Sequence, residues 1–181
     1  MFVIVHVQTV SNVLPSHRVL PFRVAACEGD GDLVDPSEAS VVKDEEVKCE
    51  AIELYGSQAV MEIPCRCELP YLVLQLKDVE RFVSFTITVA DHERRIRHLT
   101  VSNKQSMARV KAFECSMPLT LKKGWNYICL DLPDLVQRAF GTQYQRCKCV
   151  TLRANCRVLR VYFQDRKYED VELPAFLRVI K

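Results

Sequence analysis

Two pairs of cysteines have a spacing that could support chemistry. Cys65-Arg66-Cys67 and Cys147-Lys148-Cys149 both follow the pattern C-x-C. Side chains alternate between the faces of a β-strand, so each pair would present both thiols on one face, and two pairs could form a Cys₄ zinc site. Common structural zinc sites space their cysteines more widely, and free cysteine usually fills a core as a small apolar side chain. We therefore expect these four thiols to hold neither a metal nor a structural disulfide.

The remaining side chains form no recognisable catalytic or cofactor-binding motif. The sequence lacks the phosphate-binding G-x-x-x-x-G-K-[ST], the dinucleotide-binding G-x-G-x-x-G, the nucleophile elbow G-x-S-x-G and the zinc-binding H-E-x-x-H. The four histidines are scattered, and none lies beside a convincing nucleophile. We therefore predict that the protein is not an enzyme and carries no cofactor.

Basic residues in turns are the best candidates for a binding surface. Three arginines follow an Asp-His-Glu segment that is typical of a hairpin tip, and two lysines precede a glycine in a second turn signal. Turns on a rigid sheet are common places for binding residues, so we expect these side chains to project into solvent. The candidate contacts are Arg94, Arg95, Arg97, Lys122 and Lys123.

The distribution of charge supports a basic face and an acidic partner. Residues 1–90 contain 7 Lys and Arg against 14 Asp and Glu, a net charge of −7, whereas residues 91–181 contain 18 against 9, a net charge of +9. Such asymmetry favours nucleic acid, an anionic membrane or an acidic protein lattice as the partner. The most acidic stretch, residues 27–46, has Gly, Pro and Ser among its carboxylates and is predicted to be a surface loop.

One stretch has the period of a helix. Apolar residues recur at three- and four-residue intervals, Pro133 suits the first helical turn, and Gly141 suits a left-handed C-terminal cap. This pattern predicts a short amphipathic helix over about 133–140, and we expect Trp125 to lie in the core beside it. The apolar stripe consists of Leu132, Leu135, Val136, Ala139 and Phe140.

Short strands separated by turn signals fill most of the remaining chain. Without alternating helices, this arrangement predicts a mainly β fold, an antiparallel β-sandwich or jelly-roll-like barrel that forms a single domain over residues 1–181. The predicted strands are Phe2–Val10, Val19–Ala25, Val47–Leu54, Ala59–Ile63, Tyr71–Leu76, Val83–Val89, Ile96–Val101, Val110–Cys115, Trp125–Leu130, Cys147–Leu152 and Arg157–Phe163.

The cysteine content and the hydropathy of the sequence indicate in which cellular compartment the protein is found. Nine cysteines without the spacing of a small secreted scaffold indicate reduced thiols in the cytosol. The apolar N-terminal segment lacks a basic leader region, and no run of about 18 apolar residues could span a bilayer. We expect neither secretion nor a membrane partner.

Three long stretches carry a resemblance to a known family. Ser102–Leu119 (SNKQSMARVKAFECSMPL), Gly124–Tyr144 (GWNYICLDLPDLVQRAFGTQY) and Leu152–Pro174 closely resemble the cilia- and flagella-associated protein twenty family, and Leu69–Asp91 fits the same pattern. Both C-x-C pairs depart from that pattern. They leave two alternatives open, the family's main member or a specialised paralog.

The resemblance implies a structural role in cilia. Members of that family are compact β-domains of the ciliary axoneme and basal body, part of the cytoskeleton. They bind α/β-tubulin of doublet microtubules at the inner junction, where the A- and B-tubules join, and support ciliary motility. There they alternate with the parkin co-regulated gene protein, so the expected partners are tubulin, that protein and other inner-junction proteins. Tubulin surfaces are strongly acidic, which suits the basic half of this chain.

Two other functions compete with this interpretation. A basic-faced β-barrel could bind nucleic acid, but Tyr162 and Phe163 beside Arg157 and Arg160 are better explained by core packing. A jelly roll could bind carbohydrate, but Trp125 lies in an apolar strand and is a poor platform for a sugar ring. Both are therefore less favoured than a microtubule partner.

Overall fold

In the residues that the structure describes, the fold consists of two facing β-sheets, one short α-helix and a 3₁₀ turn at Asp170–Glu172. A computed structural model describes residues 17–19, 39–173 and 177–178. The predicted mainly β sandwich is confirmed, and in these residues the two sheets stay open and do not close into a barrel. The elements are β1 (His17–Val19), β2 (Ala39–Asp44), β3 (Cys49–Leu54), β4 (Val60–Cys67), β5 (Tyr71–Asp78), β6 (Ser84–Asp91), β7 (Ile96–Ser102), β8 (Arg109–Val110), β9 (Glu114–Pro118), β10 (Gly124–Asp131), α1 (Leu132–Phe140), β11 (Tyr144–Arg153) and β12 (Cys156–Gln164).

Strand order separates the chain into a first and a second sheet. The first sheet has the order β10-β5-β12-β3-β2, with β1 paired to β12, and the second has the order β4-β11-β6-β7-β9-β8. Neighbouring strands are antiparallel except for β7 and β9, which run parallel. The two-residue strand β8 pairs with β9 and is the last described strand at this edge of the second sheet.

The core lies between the sheets and follows the two-residue period of the strands. On β6, Phe85, Ile87 and Val89 are fully buried and face the first sheet, while the intervening threonines are partly exposed. On β5, Leu72 and Leu74 lie in the same core cluster. Each large apolar side chain buried in this way contributes about 1.5–3 kcal/mol.

Helix α1 closes one end of the sandwich with the predicted caps. Asp131 is the N-cap and accepts a hydrogen bond from the Asp134 N–H at 3.0 Å. Gly141 has a left-handed φ of 68°, and its N–H donates to the Gln137 carbonyl at 2.9 Å. The predicted stripe packs against the core, with Leu132 and Val136 fully buried, and the Leu132 N–H anchors the helix by donating to a carbonyl of the β4–β5 connection. The predicted helix is confirmed.

The outer face of the first sheet is covered as well. Past β12, Leu173 and Leu177 pack with Val73 and Tyr162 in a second, smaller core. The Gln75 side-chain amide donates to the Leu177 carbonyl at 3.0 Å, which ties this segment to the sheet. Strand β5 is therefore buried on both faces, which explains why its sequence is almost continuously apolar.

A buried carboxylate holds the β2–β3 hairpin across the same outer face. Asp44 is fully buried and lies over a row of neighbouring residues on three adjacent strands. It accepts hydrogen bonds from Lys77 Nζ at 2.9 Å, Arg157 Nη1 at 2.7 Å and Trp125 Nε1 at 3.2 Å. Beside it, Glu46 forms an ion pair with Lys77 at 2.7 Å. The hairpin thus reaches from the edge of the sheet to β10.

This network decides the ionisation state of Asp44. Burial alone would raise the pKa of the carboxyl, but hydrogen bonds from Arg157, Lys77 and Trp125 outweigh the loss of water. The pKa of Asp44 therefore lies well below its ordinary value. The same contacts raise the pKa of Arg157, mainly through hydrogen bonds to Asp44 and Glu53. Asp44, Lys77 and Arg157 therefore stay charged over the physiological pH range.

Two sequence predictions are wrong here. The predicted acidic loop, 27–46, includes β2 in its described part, because backbone pairing with β3 and the pairing of Asp44 offset the cost of ordering acidic residues. Trp125 does not lie in the core beside the helix. It is partly exposed, and it begins β10 at the end opposite α1, where its ring lies 5.9 Å from Lys77 Nζ.

Other predicted strands differ in their bounds or lie outside the described residues. Val110–Cys115 was predicted as one strand, but a tight turn divides it into β8 and β9, with the Lys111 N–H donating to the Glu114 carbonyl at 2.8 Å. The predicted strands Phe2–Val10 and Val19–Ala25 lie outside the described residues, apart from Val19 in β1. The part of the chain that the structure describes has no helix with the length and apolar character to cross a bilayer.

Replacing Asp44→Asn tests the contribution of this carboxylate. The change leaves Lys77 and Arg157 together without their buried counter-charge, so we expect a loss of about 3 kcal/mol in the free energy of unfolding at pH 7. Because the pKa of Asp44 is lower in the folded than in the unfolded chain, the unfolded chain binds a proton first as the pH falls below about 4. The stability gap between wild type and variant should therefore narrow from about pH 4 towards pH 2.

The measurement is urea unfolding of both proteins across this pH range. Glu46→Gln is the matched control, since its carboxylate is 57% exposed and its loss should have a much smaller effect. A gap that stays constant with pH, or an Asp44→Asn variant as stable as wild type, would contradict the assignment.

Candidate binding surface

The two cysteine pairs lie on neighbouring strands, and the Cys147 thiol is hydrogen-bonded to Cys65, but the four thiols do not share one face. On β4, Cys65 and Cys67 are both buried. On β11, the register shifts between Cys147 and Cys149, so Cys147 is buried while Cys149 is partly exposed and lies 3.8 Å from the Thr151 hydroxyl. This irregularity breaks the alternation on which a Cys₄ arrangement depends. Among the described residues, no group of three or more His, Cys, Asp or Glu side chains could hold a metal ion.

The buried thiols are poor nucleophiles. A hydrogen bond with Cys65, followed by burial, raises the pKa of the Cys147 thiol far above its ordinary value. Burial raises the pKa of Cys115 and brings that of Cys156 to about 12. Because the thiolate is the form that attacks electrophiles and binds metals, these side chains act as apolar packing.

The turn between β6 and β7 presents two of the predicted arginines to solvent. Arg94 is exposed and has a left-handed φ of 63°, and no described residue pairs with its guanidinium. Arg95 is 57% exposed and forms an ion pair with Glu93 at 2.8 Å. The expectation that this hairpin tip projects basic side chains into solvent is met for these two residues.

Asp91 fixes the shape of this turn from within. One of its carboxylate oxygens accepts hydrogen bonds from the Glu93 N–H at 3.1 Å and the Arg95 N–H at 2.8 Å. The other accepts from Arg97 Nε at 2.9 Å. Burial would raise the pKa of Asp91, but these hydrogen bonds outweigh it and hold the pKa below its ordinary value. The carboxylate therefore braces the exposed arginines on a rigid loop.

Arg97 is buried, so the prediction that its side chain projects into solvent is wrong. Its side chain is only 5% exposed and is paired with Asp91. The guanidinium lies 5.3 Å from the ring of Phe113 and 5.0 Å from the ring of Phe140, and it donates to the Ala112 carbonyl. It therefore joins the turn to the C-terminal end of α1 and to the β8–β9 turn.

The second predicted basic group lies just before β10. Lys122 and Lys123 are both exposed, and Lys123 forms an ion pair with Glu80 at 3.2 Å. Asn126 fixes the backbone here, because its side chain accepts from the Lys122 N–H at 2.8 Å and donates to the Lys122 carbonyl at 2.7 Å. This turn also presents its charges to solvent from a defined backbone.

The two exposed groups lie at opposite ends of the sandwich. Strand β10 runs eight residues from Gly124, beside the lysines, to Asp131, where α1 begins. At the far end of α1, the His92 N–H donates to the Gln143 carbonyl at 2.9 Å, which places the arginine turn at the helix end of the molecule. At about 3.4 Å per strand residue, β10 alone spans roughly 25 Å between the lysines and the start of α1.

A third exposed surface was not predicted. Residues 104–113, here called the edge ribbon, run along the open edge of the second sheet and contain no acidic residue. Three large apolar side chains are exposed there: Met107 at 66%, Val110 at 56% and Phe113 at 54%. The missed signal was the interleaving of apolar and basic residues around a turn. The basic members are Lys104, Arg109 and Lys111, all exposed.

The fold and its surfaces define a two-sheet β-sandwich whose exposed turns carry basic side chains. A family model described as the CFA20 domain matches residues 27–181. Two proteins named cilia- and flagella-associated protein 20 are each 38% identical to this chain over 143 residues. One is from Caenorhabditis briggsae and the other from Chlamydomonas reinhardtii. These matches cover 74% of this chain and 70% and 75% of those proteins, respectively.

A Paramecium tetraurelia protein of the same name is 43% identical over 107 residues, covering 59% of this chain and 56% of that protein. The chain belongs to the CFA20 domain family. The resemblance stated for Leu69–Pro174 is therefore confirmed, and the family match extends towards the N-terminus as far as residue 27.

Replacing Arg97→Met tests whether this arginine is structural. The change leaves Asp91 buried without its ion-pair partner, so we expect a loss of about 3 kcal/mol in the free energy of unfolding, measured by urea denaturation. Arg95→Ala is the control, because that side chain is largely exposed and its removal should change stability by less than about 1 kcal/mol. Equal effects of the two substitutions would show that Arg97 is an ordinary surface residue.

Proposed function

We propose that the protein is a non-enzymatic structural component of the ciliary axoneme. In this proposal it binds α/β-tubulin at the inner junction that joins the A- and B-tubules of doublet microtubules, beside the parkin co-regulated gene protein, and supports ciliary motility. Support comes from membership of the CFA20 domain family, whose compared relatives carry names that associate them with cilia and flagella. The absence of catalytic motifs from the sequence suits a structural role.

The observation that carries the tubulin contact is the braced basic turn. Arg94 and Arg95 are exposed on a loop whose backbone is fixed by the buried Asp91 carboxylate. Because the loop is already ordered, binding through it costs little conformational entropy. An acidic protein wall is the complementary surface for such a group, and tubulin presents one.

The placement of Lys122 and Lys123 suits a bridging role. This pair lies at the end of β10 opposite α1, whereas the arginine turn lies at the helix end, and β10 alone spans roughly 25 Å. Two basic groups at opposite ends of one rigid sandwich can contact two different acidic surfaces at the same time. A component that joins two tubules requires such an arrangement.

Charge reversal tests the contact by cosedimentation with taxol-stabilised microtubules. Arg94→Glu with Arg95→Glu should weaken binding at least tenfold, since each reversal replaces attraction by repulsion at the acidic surface, and the remaining binding should depend less on salt. Lys122→Glu with Lys123→Glu should also weaken binding and should abolish cross-linking of microtubules. All variants should unfold at nearly the wild-type urea concentration, because exposed charges contribute little to stability.

Lys43→Glu with Lys48→Glu supplies the matched control. It makes the same change in charge on the β2–β3 hairpin, where both lysines are exposed. If this control loses binding as strongly as the arginine variant, only net charge matters and no specific surface is used. If the arginine variant folds and sediments with microtubules like wild type, the turn is not the tubulin contact. Wild-type binding to single-stranded DNA but not to microtubules would favour the nucleic-acid alternative.

A further inference from the structure

The open edge at β8 has the features of a docking site for an extended peptide. Among the residues that the structure describes, strand β8 is the last strand of the second sheet and pairs only with β9. We propose that this edge binds an acidic segment of a partner protein, which adds to the sheet as an extra strand. The proposal uses a surface separate from the arginine and lysine turns, and it does not depend on the proposed tubulin contact.

The backbone of β8 offers hydrogen-bonding groups to such a strand. In an antiparallel ladder, directly opposed residues alternate between hydrogen-bonded and non-hydrogen-bonded pairs. The Lys111 N–H donates to the Glu114 carbonyl at 2.8 Å, so the next pair, Val110 with Cys115, is non-hydrogen-bonded. The N–H and C=O groups of Val110 therefore point away from β9 towards the open edge, where an incoming strand could pair with them.

The side chains of β8 divide by charge between the two faces of the sheet. Val110 is opposite Cys115, which is buried in the core, so Val110 lies on the core-facing side yet is 56% exposed because the sheet ends there. Arg109 is opposite Ser116 and lies on the outer face. By the two-residue period, Lys111 lies on the outer face as well. One apolar and two basic positions thus meet the incoming strand.

This division specifies the chemistry of the partner segment. A strand added beside β8 would place alternate residues next to Val110 and next to the two basic side chains. The favoured segment therefore alternates acidic and aliphatic residues. The nearest competing carboxylate, Glu114, lies 3.5 Å from Lys111 and is 60% exposed, so the pair is weak, and Arg109 has no side-chain partner among the described residues.

Two other occupants fit less well. A second copy of this chain pairing through its own β8 would bring Arg109 and Lys111 close to the same residues of the first copy, and opposed like charges destabilise strand pairing. A nucleic acid could neutralise the basic side chains, but it has no backbone groups that continue a β-ladder. The exposed Val110 and the outward peptide groups favour a protein segment.

Fluorescence anisotropy with a labelled peptide tests the proposal on the full chain. The probe is Gly-Ser-Glu-Val-Glu-Val-Glu-Gly-Ser. Its control, Gly-Ser-Glu-Glu-Glu-Val-Val-Gly-Ser, has the same composition and net charge, but its glutamates and valines are grouped in separate blocks. We expect saturable binding of the alternating peptide and binding of the blocked peptide at least tenfold weaker. In NMR spectra, the Val110 amide should become protected from hydrogen exchange when the alternating peptide is bound.

Two variants separate backbone pairing from charge. Val110→Pro removes the outward N–H without removing a bond to β9, and proline is tolerated on the open side of an edge strand. Arg109→Glu with Lys111→Glu reverses the charges at exposed positions. Each should weaken peptide binding at least tenfold. Arg94→Glu with Arg95→Glu makes the same change in charge elsewhere and should bind the peptide like wild type, even where it loses microtubules.

Several results would overturn the proposal. They are no binding of the alternating peptide, equal binding of the two peptides, or a folded Val110→Pro variant that binds like wild type. If that variant fails to fold, wild-type binding by the Arg109→Glu, Lys111→Glu protein contradicts the proposal by itself. Self-association through β8 in sedimentation analysis, or tighter binding of a single-stranded DNA 12-mer that the same charge reversal abolishes, would assign the edge to another occupant.

Discussion

The buried ion pair between Asp91 and Arg97 connects the exposed arginine turn to the end of α1 and to the β8–β9 turn. Asp91 fixes the backbone of the exposed arginine turn, and Arg97 stacks between aromatic rings of the helix and of the β8–β9 turn. A buried charged pair is costly to desolvate. The hydrogen bonds that Asp91 accepts from the Glu93 and Arg95 N–H groups and from Arg97 offset that cost. The arginine turn, the C-terminal end of α1 and the edge ribbon therefore share one structural support.

Asp44 is the corresponding buried carboxylate on the first sheet, where it pairs with Lys77 and Arg157. Because of such pairs, the net charges of the two halves of the chain do not translate directly into an acidic and a basic surface. The acidic first half of the chain does not simply form a separate negative surface. Asp44 and Glu53 pair with Arg157, so part of the basic excess of the second half is neutralised inside the fold. The positive electrostatic potential that attracts an acidic partner therefore comes from the basic side chains that remain exposed, above all those of the arginine turn, the lysine turn and the edge ribbon.

The sequence predicted the features that depend on local rules. The helix with its caps, the alternation of β6 and the turn positions all follow from neighbouring residues. Arg97 was predicted to be exposed because it is charged. The two-residue period of β7 places it instead on the buried face with Leu99 and Val101. Trp125 lies on the outer face for the same reason, since Ile128 and Leu130 face the core. Asp44 could not be predicted, because its partners are 33, 81 and 113 residues away along the chain.

Cryo-electron microscopy of doublet microtubules from cilia that contain this protein would show directly whether it binds tubulin at the inner junction. We predict density for the two-sheet sandwich where the A- and B-tubules join, with the turn that carries Arg94 and Arg95 in contact with tubulin. We also predict the Lys122–Lys123 turn against a second surface of the junction. Doublets from cells lacking the protein should lack this density. A map in which the sandwich is absent from the junction, or in which the arginine turn faces solvent, would contradict the account.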